Sequence, residues 1–261
     1  MPTFKLTLAY DGTNFSGWQF QPQRRTVQGV LRTAWEKITG EAVQTSASSR
    51  TDAGVHARRQ VVGVRSQTHL TPDVLFRAIN ANLPEDVVLV DIEFASEQFH
   101  ATHHAIGKHY RYSIHNDRTR PLFERDFFWH VPKPLDTDAM QRAGQLLVGT
   151  HDFTSFQSAG SERESTVRTI TFLAVERGRG DSAGCVEINI EGGGFLYNMV
   201  RIIVGSLVDV GLGRRDPSWL AEVLAARDRR VAGKTAPPQG LCLMRVDYPP
   251  GPALSSPPES S

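Results

Sequence analysis

The sequence predicts an α+β protein made of two ferredoxin-like halves, each with the element order βαββαβ. Strand-like and helix-like periodicities follow that order in both halves of the chain. The length of 261 residues is enough for two small halves that share a core. The antiparallel sheets of two such halves can join into one central sheet with helices packed on it, because edge strands then find partners. This arrangement would leave a cleft at the seam.

The N-terminal half, residues 1–106, begins with a strand over Phe4–Tyr10, where apolar and polar residues alternate. Thr26 is a favourable N-cap for the helix that follows, and Gly40 ends that helix. The other predicted elements are strands at 43–48 and 59–65, a helix from Pro72 to about Asn82, and a strand over Val87–Ile92.

The C-terminal half, residues 107–249, repeats this order without sequence identity to the first half. Its predicted strands are Gly107–His115, Thr169–Glu176, Gly184–Ile190 and Leu241–Tyr248. Its predicted helices are Asp136–Val148, Phe195–Val210, and a third that begins at Asp216-Pro217 and ends near Ala226. Residues 250–261 are rich in proline and serine and have no apolar period, which predicts a disordered tail.

The composition narrows the class of protein. Hydrophobic residues make up 39% and charged residues 22%, as in soluble globular proteins, and no apolar run approaches the roughly 20 residues that cross a bilayer. No signal-peptide pattern is present, and Cys185 and Cys242 have no metal or redox spacing, which indicates reduced thiols in the cytoplasm. Because the net charge is only +1, a nucleic-acid-binding protein of this composition must gather basic residues on one face.

The segment SSRTDAGVHA, residues 48–57, is the most informative part of the sequence. It lies between two predicted strands and combines Arg50 and Asp52 with small and apolar residues, which suits a loop held against the body of the protein. Gly54 follows the carboxylate closely and would let the backbone approach a ligand. Composition and spacing alone leave a surface turn and a functional loop equally open.

This segment resembles the Arg-Thr-Asp-x-Gly-Val-His motif of the TruA-type tRNA pseudouridine synthases, the tRNA pseudouridine(38-40) synthase family. The resemblance extends from Phe4 to about Pro249 through further motifs in the family's order. These are YDGTNFSGWQFQ (10–21), TVQG (26–29), NANLP (80–84), KHYRYSI (108–114), HDFTSF (151–156), FLYNMVRIIVG (195–205) and PPQGL (237–241).

The resemblance implies isomerisation of uridine to pseudouridine at positions 38, 39 and 40 of the tRNA anticodon stem-loop. It implies the following roles: Asp52 as catalytic nucleophile or base on a flipped-out uridine, Arg50 in flipping the base, Tyr110 against the uracil, Arg201 near the carboxylate, and Leu241 as an apolar wall. It also implies a homodimer bridged by one tRNA and an active-site cleft at the seam of the two halves. The reaction is redox-neutral, so we expect no cofactor and no metal.

The residues themselves leave several assignments open. Tyr110 and Tyr112 lie on one face of a strand, and we expect one of them to be a core residue. A structural ion pair is the alternative role for Arg201, because a buried guanidinium needs a partner. The histidines near residue 100 match no zinc spacing and favour a surface cluster, and Glu191–Phe195 favours a tight strand-to-helix turn over a phosphate cradle.

Two positions depart from the family pattern. Thr102 stands where the family usually has arginine, and Ser48-Ser49 precede Arg50 where glycine is common. The first departure puts the contact made by that arginine in doubt.

Two other functions are compatible with part of the pattern. Hydrolases of glycosidic bonds normally use two carboxylates about 5–10 Å apart, and the segment supplies only Asp52. A non-catalytic RNA-binding module of the RRM type would carry aromatic residues on its third strand, and residues 59–66 contain none.

Overall fold

A computed structural model describes residues 2–158, 165–178 and 184–250. The chain divides into two compact units, Met1–Ile106 with Leu243–Ser261, and Gly107–Cys242. Both units contain strands and helices, so the α+β class predicted from the sequence is confirmed. The predicted disordered tail lies outside the described residues from position 251 onwards. Within the described part of the chain, no helix is long and apolar enough to span a membrane.

The first unit contains an antiparallel sheet and two helices. Its strands are β1 (Thr3–Tyr10), β2 (Thr45–Ala47), β3 (His56–Arg65) and β4 (Val87–Ala95), and its helices are α1 (Val27–Thr39) and α2 (Pro72–Asn80). The strand order is β4–β1–β3, and β2 pairs with β3. Because β1 lies between two strands, Thr3 and Thr7 are buried along with Phe4, Leu6 and Leu8, where the sequence pattern predicted a half-buried strand.

The boundaries of α1 follow from its capping residues. The side chain of Thr26 accepts a hydrogen bond from Gly29 N at 3.2 Å, which satisfies one of the free amides of the first turn. Gly40 ends the helix in the left-handed region, with φ 74°. Leu31 and Trp35 form part of the buried face, and the Trp35 ring packs edge-on against Phe4 of β1 at 5.6 Å between centroids. The predicted helix is thus confirmed.

The second unit is built around the strand order β5–β9–β8–β7, with antiparallel pairing. Its strands are β5 (Gly107–His115), β6 (Trp129–His130), β7 (Gly149–Asp152), β8 (Val167–Arg177) and β9 (Cys185–Gly192), and its helices are α3 (Thr137–Gln145), α4 (Met199–Gly211) and α5 (Trp219–Ala226). Strand β6 runs parallel to β5. The last strand, β10 (Leu241–Asp247), starts in this unit, and from Leu243 it belongs to the first, where it lies beside β3.

Helix α4 begins at Met199, four residues later than the sequence predicts. Asn198 adopts the left-handed conformation, with φ 60°, so the preceding residues cannot continue the helix. The turn between Gly192, where β9 ends, and α4 is therefore longer than the tight turn predicted for this segment.

Candidate active site

The segment that carries Asp52 is the loop between β2 and β3 in the first unit. Thr51 and Val55 are buried, Asp52 is half-buried and Arg50 is exposed. The loop is therefore anchored through residues on either side of Asp52, while Arg50 is exposed to solvent. This is the arrangement expected of a functional loop held by a rigid scaffold.

Thr51, directly before Asp52, is held by two separate elements. Its Oγ1 lies 2.7 Å from the Tyr10 hydroxyl at the end of β1, and its carbonyl oxygen accepts a hydrogen bond from Trp18 N at 3.0 Å. After Asp52, the chain turns at Gly54, with φ 77°, and Val55 N donates to the Asp52 carbonyl at 3.1 Å. The main chain of Asp52 is thus fixed on both sides.

Two glycines of the segment 10–21 explain how it approaches this loop so closely. A Cβ atom on Gly12 would lie 2.1 Å from the carbonyl oxygen of Val55, and one on Gly17 would lie 2.8 Å from that of Thr51. Such distances are far below van der Waals contact, so only glycine fits. The motifs at 10–21 and 48–57, separate in sequence, form one packed unit.

His56 is 4% exposed and supports the packing of the segment 10–21 on the segment 48–57. Its Nδ1 is 3.0 Å from Gly12 N and 3.1 Å from Asp11 Oδ1. The amide can only donate, and Asp11 Oδ1 already accepts from the backbone and hydroxyl of Thr13, so Nδ1 is the acceptor for Gly12. His56 is therefore a structural residue of the loop.

Positive charge surrounds the loop. Arg50, Arg58 and Arg59 are exposed, and none of them forms an ion pair within the described ranges of the chain. Arg58 and Arg59 are consecutive in β3 yet both face solvent, because the pairing of β1 with β3 shifts register between Leu8 and Tyr10. A β-bulge re-aims side chains in this way. Unpaired guanidinium groups of this kind can bind phosphate.

Tyr110 and Tyr112 lie on β5 in the second unit, and the structure separates their environments. Tyr112 has no exposed surface, and its hydroxyl donates to the carbonyl oxygen of Pro237 at 2.7 Å. Burial raises the pKa of this phenol far above its ordinary value, and the charge of Arg201 opposes the rise. Tyr112 is therefore a core residue. Tyr110 is 8% exposed, and its ring lies perpendicular to the Phe195 ring with 5.3 Å between the ring centroids.

Arg201 lies on the first turn of α4 and is half-buried. Its Nε donates to the carbonyl oxygen of Ala236 at 2.8 Å, and its Nη1 donates to Oδ1 of Asn198 at 2.8 Å. Leu241, the first residue of β10, is 6% exposed and follows a 3₁₀ turn at Pro238–Gly240. The two hydrogen bonds fix the orientation of the Arg201 side chain within the second unit.

The five residues singled out from the sequence thus divide between the units. Asp52 and Arg50 share one loop of the first unit, and Tyr110, Arg201 and Leu241 belong to the second. That Tyr110 and Arg201 reach the Asp52 carboxylate stays a prediction.

In the histidine cluster of the first unit, the side chains of His100 and His104 form hydrogen bonds with the backbone of their own turn. His100 Nδ1 accepts hydrogen bonds from the amides of Thr102 and His103 at 3.2 and 3.3 Å, and His104 Nδ1 accepts one from His100 N at 3.3 Å. Burial, followed by the nearby His103, lowers the pKa of His100. Within the described residues, no group of three histidine, cysteine or acidic side chains is placed to hold a metal.

Sequence reasoning missed Gln60, a polar side chain with no exposed surface. A single glutamine directly after two arginines gives no periodic signal of burial. Only the pairing of β3 shows that Gln60 lies opposite the buried Leu8.

The fold and this loop define an α+β protein with a half-buried aspartate on an anchored backbone and exposed arginines in and directly after the same loop. A family model described as tRNA pseudouridine synthase matches residues 7–104 and 143–249. The chain belongs to the tRNA pseudouridine synthase family and is an isomerase. The resemblance recognised in its motifs is confirmed.

Curated relatives agree with this assignment. A protein of Brevibacillus brevis named tRNA pseudouridine synthase A is 48% identical over 248 residues, which cover 95% of this chain and 100% of that protein. A protein of the same name from Myxococcus xanthus is 44% identical over 257 residues, 98% of this chain and 96% of the relative. A crystal structure of a Cbf5-Nop10-Gar1 complex has a TM-score of 0.36 at 14% identity, over 92% of this chain and 57% of that one, a similarity too low to carry an argument.

Proposed function

We propose that this isomerase converts uridine to pseudouridine in tRNA with Asp52 as its catalytic group. The observation that carries the proposal is the loop at 48–57, which presents a half-buried carboxylate from a rigidly held backbone inside the region that matches the family. Asp52 is also the only carboxylate in that loop, as an isomerase with a single catalytic acid requires.

The chemistry needs few groups. The bond from ribose C1′ to uracil N1 breaks, the base turns, and a bond forms from C1′ to C5; C5 loses its proton and N1 gains one. An ionised Asp52 can add to the sugar or remove the C2′ proton, and both routes remain open. The detached uracil must stay bound and water must be kept from the sugar, which calls for an enclosed, largely apolar pocket.

The other predicted site residues suit the handling of a flipped-out uridine. Arg50 is exposed and can fill the space that the base leaves in the RNA stack. Tyr110 offers an aromatic surface to the uracil, and Leu241 an apolar wall. Arg201 would favour the ionised form of Asp52. This assignment requires the three residues of the second unit to lie within side-chain reach of Asp52.

The proposed target is the anticodon stem-loop, at positions 38, 39 and 40, and the proposed assembly is a cytoplasmic homodimer bridged by one tRNA. The exposed Arg50, Arg58 and Arg59 supply positive charge next to the catalytic loop, although the net charge of the whole chain is only +1. A monomeric mass by light scattering at working concentration would contradict the dimer.

We also propose that both halves are ferredoxin-like, with boundaries at 1–106 and 107–249 and one central sheet. In the first unit, the antiparallel order β4–β1–β3–β2 and the helices after β1 and β3 support this. In the second half, β5, β8, β9 and β10 would be the first, second, third and fourth strands of the ferredoxin-like order. Strand β7 would be an added edge strand.

The test uses unmodified tRNA that carries tritium at C5 of uridine. Wild-type protein should release tritium, and Asp52→Asn, which keeps the side-chain size, should not. Sequencing of the product should place pseudouridine at positions 38 to 40. Release of free uracil would indicate hydrolysis, and equal rescue of a deficient strain by wild type and Asp52→Ala would indicate binding without chemistry.

A further inference from the structure

Gln60 of β3 is a buried polar residue that the catalytic assignment does not use. In the register of β1 with β3, Leu8 pairs with Gln60 and Tyr10 pairs with Ala57, so two residues of β3 face one residue of β1. This bulge leaves Arg58 and Arg59 exposed, whereas Gln60, opposite Leu8 in the regular register, has no exposed surface. A buried amide in a strand costs free energy unless all its polar atoms are satisfied.

The amide of Gln60 is fully engaged, and chiefly with the catalytic loop. Its Oε1 accepts hydrogen bonds from Ser48 Oγ at 2.6 Å and from Ser49 N at 3.3 Å. Its Nε2 donates to the Ser49 carbonyl at 2.7 Å and to the Tyr10 hydroxyl at 3.4 Å. A carboxamide offers two donor hydrogens and one acceptor oxygen, so no bonding capacity is left for solvent or substrate.

The same short segment is held from other directions. Ser48 N donates to the carbonyl of Val61 at 2.9 Å, and Thr102 Oγ1 donates to the carbonyl of Ala47 at 2.7 Å. The residues at which this chain departs from the family pattern, Ser48, Ser49 and Thr102, therefore all form hydrogen bonds at the start of the loop. Together with the bond between Tyr10 and Thr51, these contacts fix the backbone before and after Arg50.

We propose that Gln60 is a positioning residue for the isomerisation, holding the Ser48-Ser49 backbone so that Arg50 and Asp52 keep their catalytic orientation. The inference rests on the proposed role of Asp52. A displacement of about 1 Å at a reacting group can cost on the order of a hundredfold in rate. Because Gln60 is inaccessible, its replacement should slow the chemical step and leave tRNA affinity almost unchanged.

The first test is Gln60→Met, which keeps the length of the side chain and removes every hydrogen bond. The single-turnover rate at saturating tRNA should fall at least about tenfold, with the Kd for tRNA within about twofold of wild type. A folded variant whose rate stays within about twofold of wild type, or whose rate and Kd worsen in parallel, would overturn the proposal.

The control is Gln141→Met. The Gln141 amide also bonds two backbone groups of one strand, accepting from Val175 N at 2.6 Å and donating to the carbonyl of Leu173 at 3.4 Å. Removal of these bonds should lower stability without changing the single-turnover rate. A fall in rate equal to that of Gln60→Met would mean that loss of any amide bonded to a strand backbone has this effect, which contradicts a specific role.

Gln60→Glu keeps the proposal testable if Gln60→Met does not fold. The neutral form of the introduced carboxyl can still donate to the Ser49 carbonyl, whereas its ionised form has no proton to donate and repels that oxygen. Burial can raise a carboxyl pKa to as much as about 8–9. The ratio of the variant rate to the wild-type rate should therefore decrease as the pH rises from about 5.5 to about 9.5. A flat ratio over this range, with the fold intact by circular dichroism, would refute the positioning role.

Wild type and Asp52→Asn are measured in the same assay. If wild type forms no pseudouridine, the proposed function fails. If wild type is active and the Gln60 variants match it, only the inference about Gln60 fails.

Discussion

The hydroxyl of Tyr10 lies 2.7 Å from Oγ1 of Thr51, and both residues are buried, with 5% and 7% of their surface exposed. This contact joins the end of β1 to the residue before Asp52. The position of the proposed catalytic carboxylate therefore depends on a central strand of the sheet as well as on its own loop.

Tyr10→Phe should lower both stability and activity. The change removes the hydroxyl and leaves the ring packed near Trp18, with 6.4 Å between the ring centroids. The effect therefore comes mainly from the missing bonds to Thr51 and Gln60. A buried partner left without its bond costs about 1–3 kcal/mol. Urea unfolding should show a decrease in this range, and the initial rate on tRNA should fall severalfold.

Tyr197→Phe is the matched control, because Tyr197 is 46% exposed and its hydroxyl can bond water. Its stability should change by less than about 0.5 kcal/mol. If Tyr10→Phe behaved like Tyr197→Phe in both measurements, the contact between Tyr10 and Thr51 would not be holding the loop.

Gly12→Ala should disrupt the packing of the segment 10–21 on the loop that carries Asp52. The added Cβ would lie 2.1 Å from the carbonyl oxygen of Val55, a backbone atom that cannot rotate away. Overpacking of this kind typically costs about 1–3 kcal/mol, and movement of Val55 should also lower the rate of pseudouridine formation. Thermal unfolding and the tritium-release assay measure the two effects.

Gly40→Ala separates this clash from the general cost of replacing a glycine. Gly40 has φ 74° but no atom near its Cβ position, so only the conformational cost of about 1–2 kcal/mol applies. The activity of folded Gly40→Ala should equal that of wild type. Full activity in Gly12→Ala as well would contradict the proposed link between the two motifs.

The stability of the first unit should fall as the pH drops through the range in which free histidine titrates. Burial, then the charges of His103, His104 and Arg65, lower the pKa of His100 below its ordinary value of 6.5. The folded state therefore favours neutral His100 and binds fewer protons than the unfolded chain near that pH. Stability from this group is present above the pKa of the unfolded chain and decreases as the pH falls through the folded pKa.

His100→Asn tests this dependence. The side-chain oxygen of asparagine can replace Nδ1 as acceptor for the amides of Thr102 and His103, and it does not titrate. Urea midpoints measured from about pH 8 down to about pH 5.5 should fall less for the variant than for wild type. Identical slopes would show that the dependence does not arise from His100.

Elements with local signals could be predicted from the sequence, and those fixed by distant contacts could not. The N-cap Thr26 and the C-cap Gly40 act within one helical turn, so the boundaries of α1 follow from nearby residues. The start of α4 depends on the left-handed conformation of Asn198, which no local pattern demands. Strand β7 has only four residues, mostly polar, and owes its existence to pairing with β8.

The candidate site shows the same division. Asp52 was recognised because its motif is contiguous in sequence. Gln60 was not, because its role depends on its pairing with β1 and on partners at Ser48, Ser49 and Tyr10. The contact of Thr102 with Ala47 likewise joins segments 55 residues apart, and sequence alone identified Thr102 only as a departure from the family pattern.

The bulge in β3 also leads to a prediction about RNA binding. Arg58 and Arg59 point into solvent without an ion pair among the described residues, so each can neutralise a phosphate. Removing one phosphate-binding cation lowers the slope of log K against log salt by about 0.7–0.9. Arg58→Ala and Arg59→Ala should each weaken tRNA binding and reduce this slope, while the single-turnover rate at saturating tRNA stays close to that of wild type.

Arg230→Ala provides the comparison. Arg230 is also exposed, but its guanidinium already forms an ion pair with Asp228 at 2.6 Å, so its charge is compensated within the protein. Its removal should leave the salt slope unchanged. Nitrocellulose filter binding between about 50 and about 200 mM salt gives all three slopes. Equal slopes for wild type, Arg58→Ala and Arg59→Ala would mean that the RNA backbone does not pass over the bulge, and the path of the tRNA would then have to avoid this edge of the proposed catalytic loop.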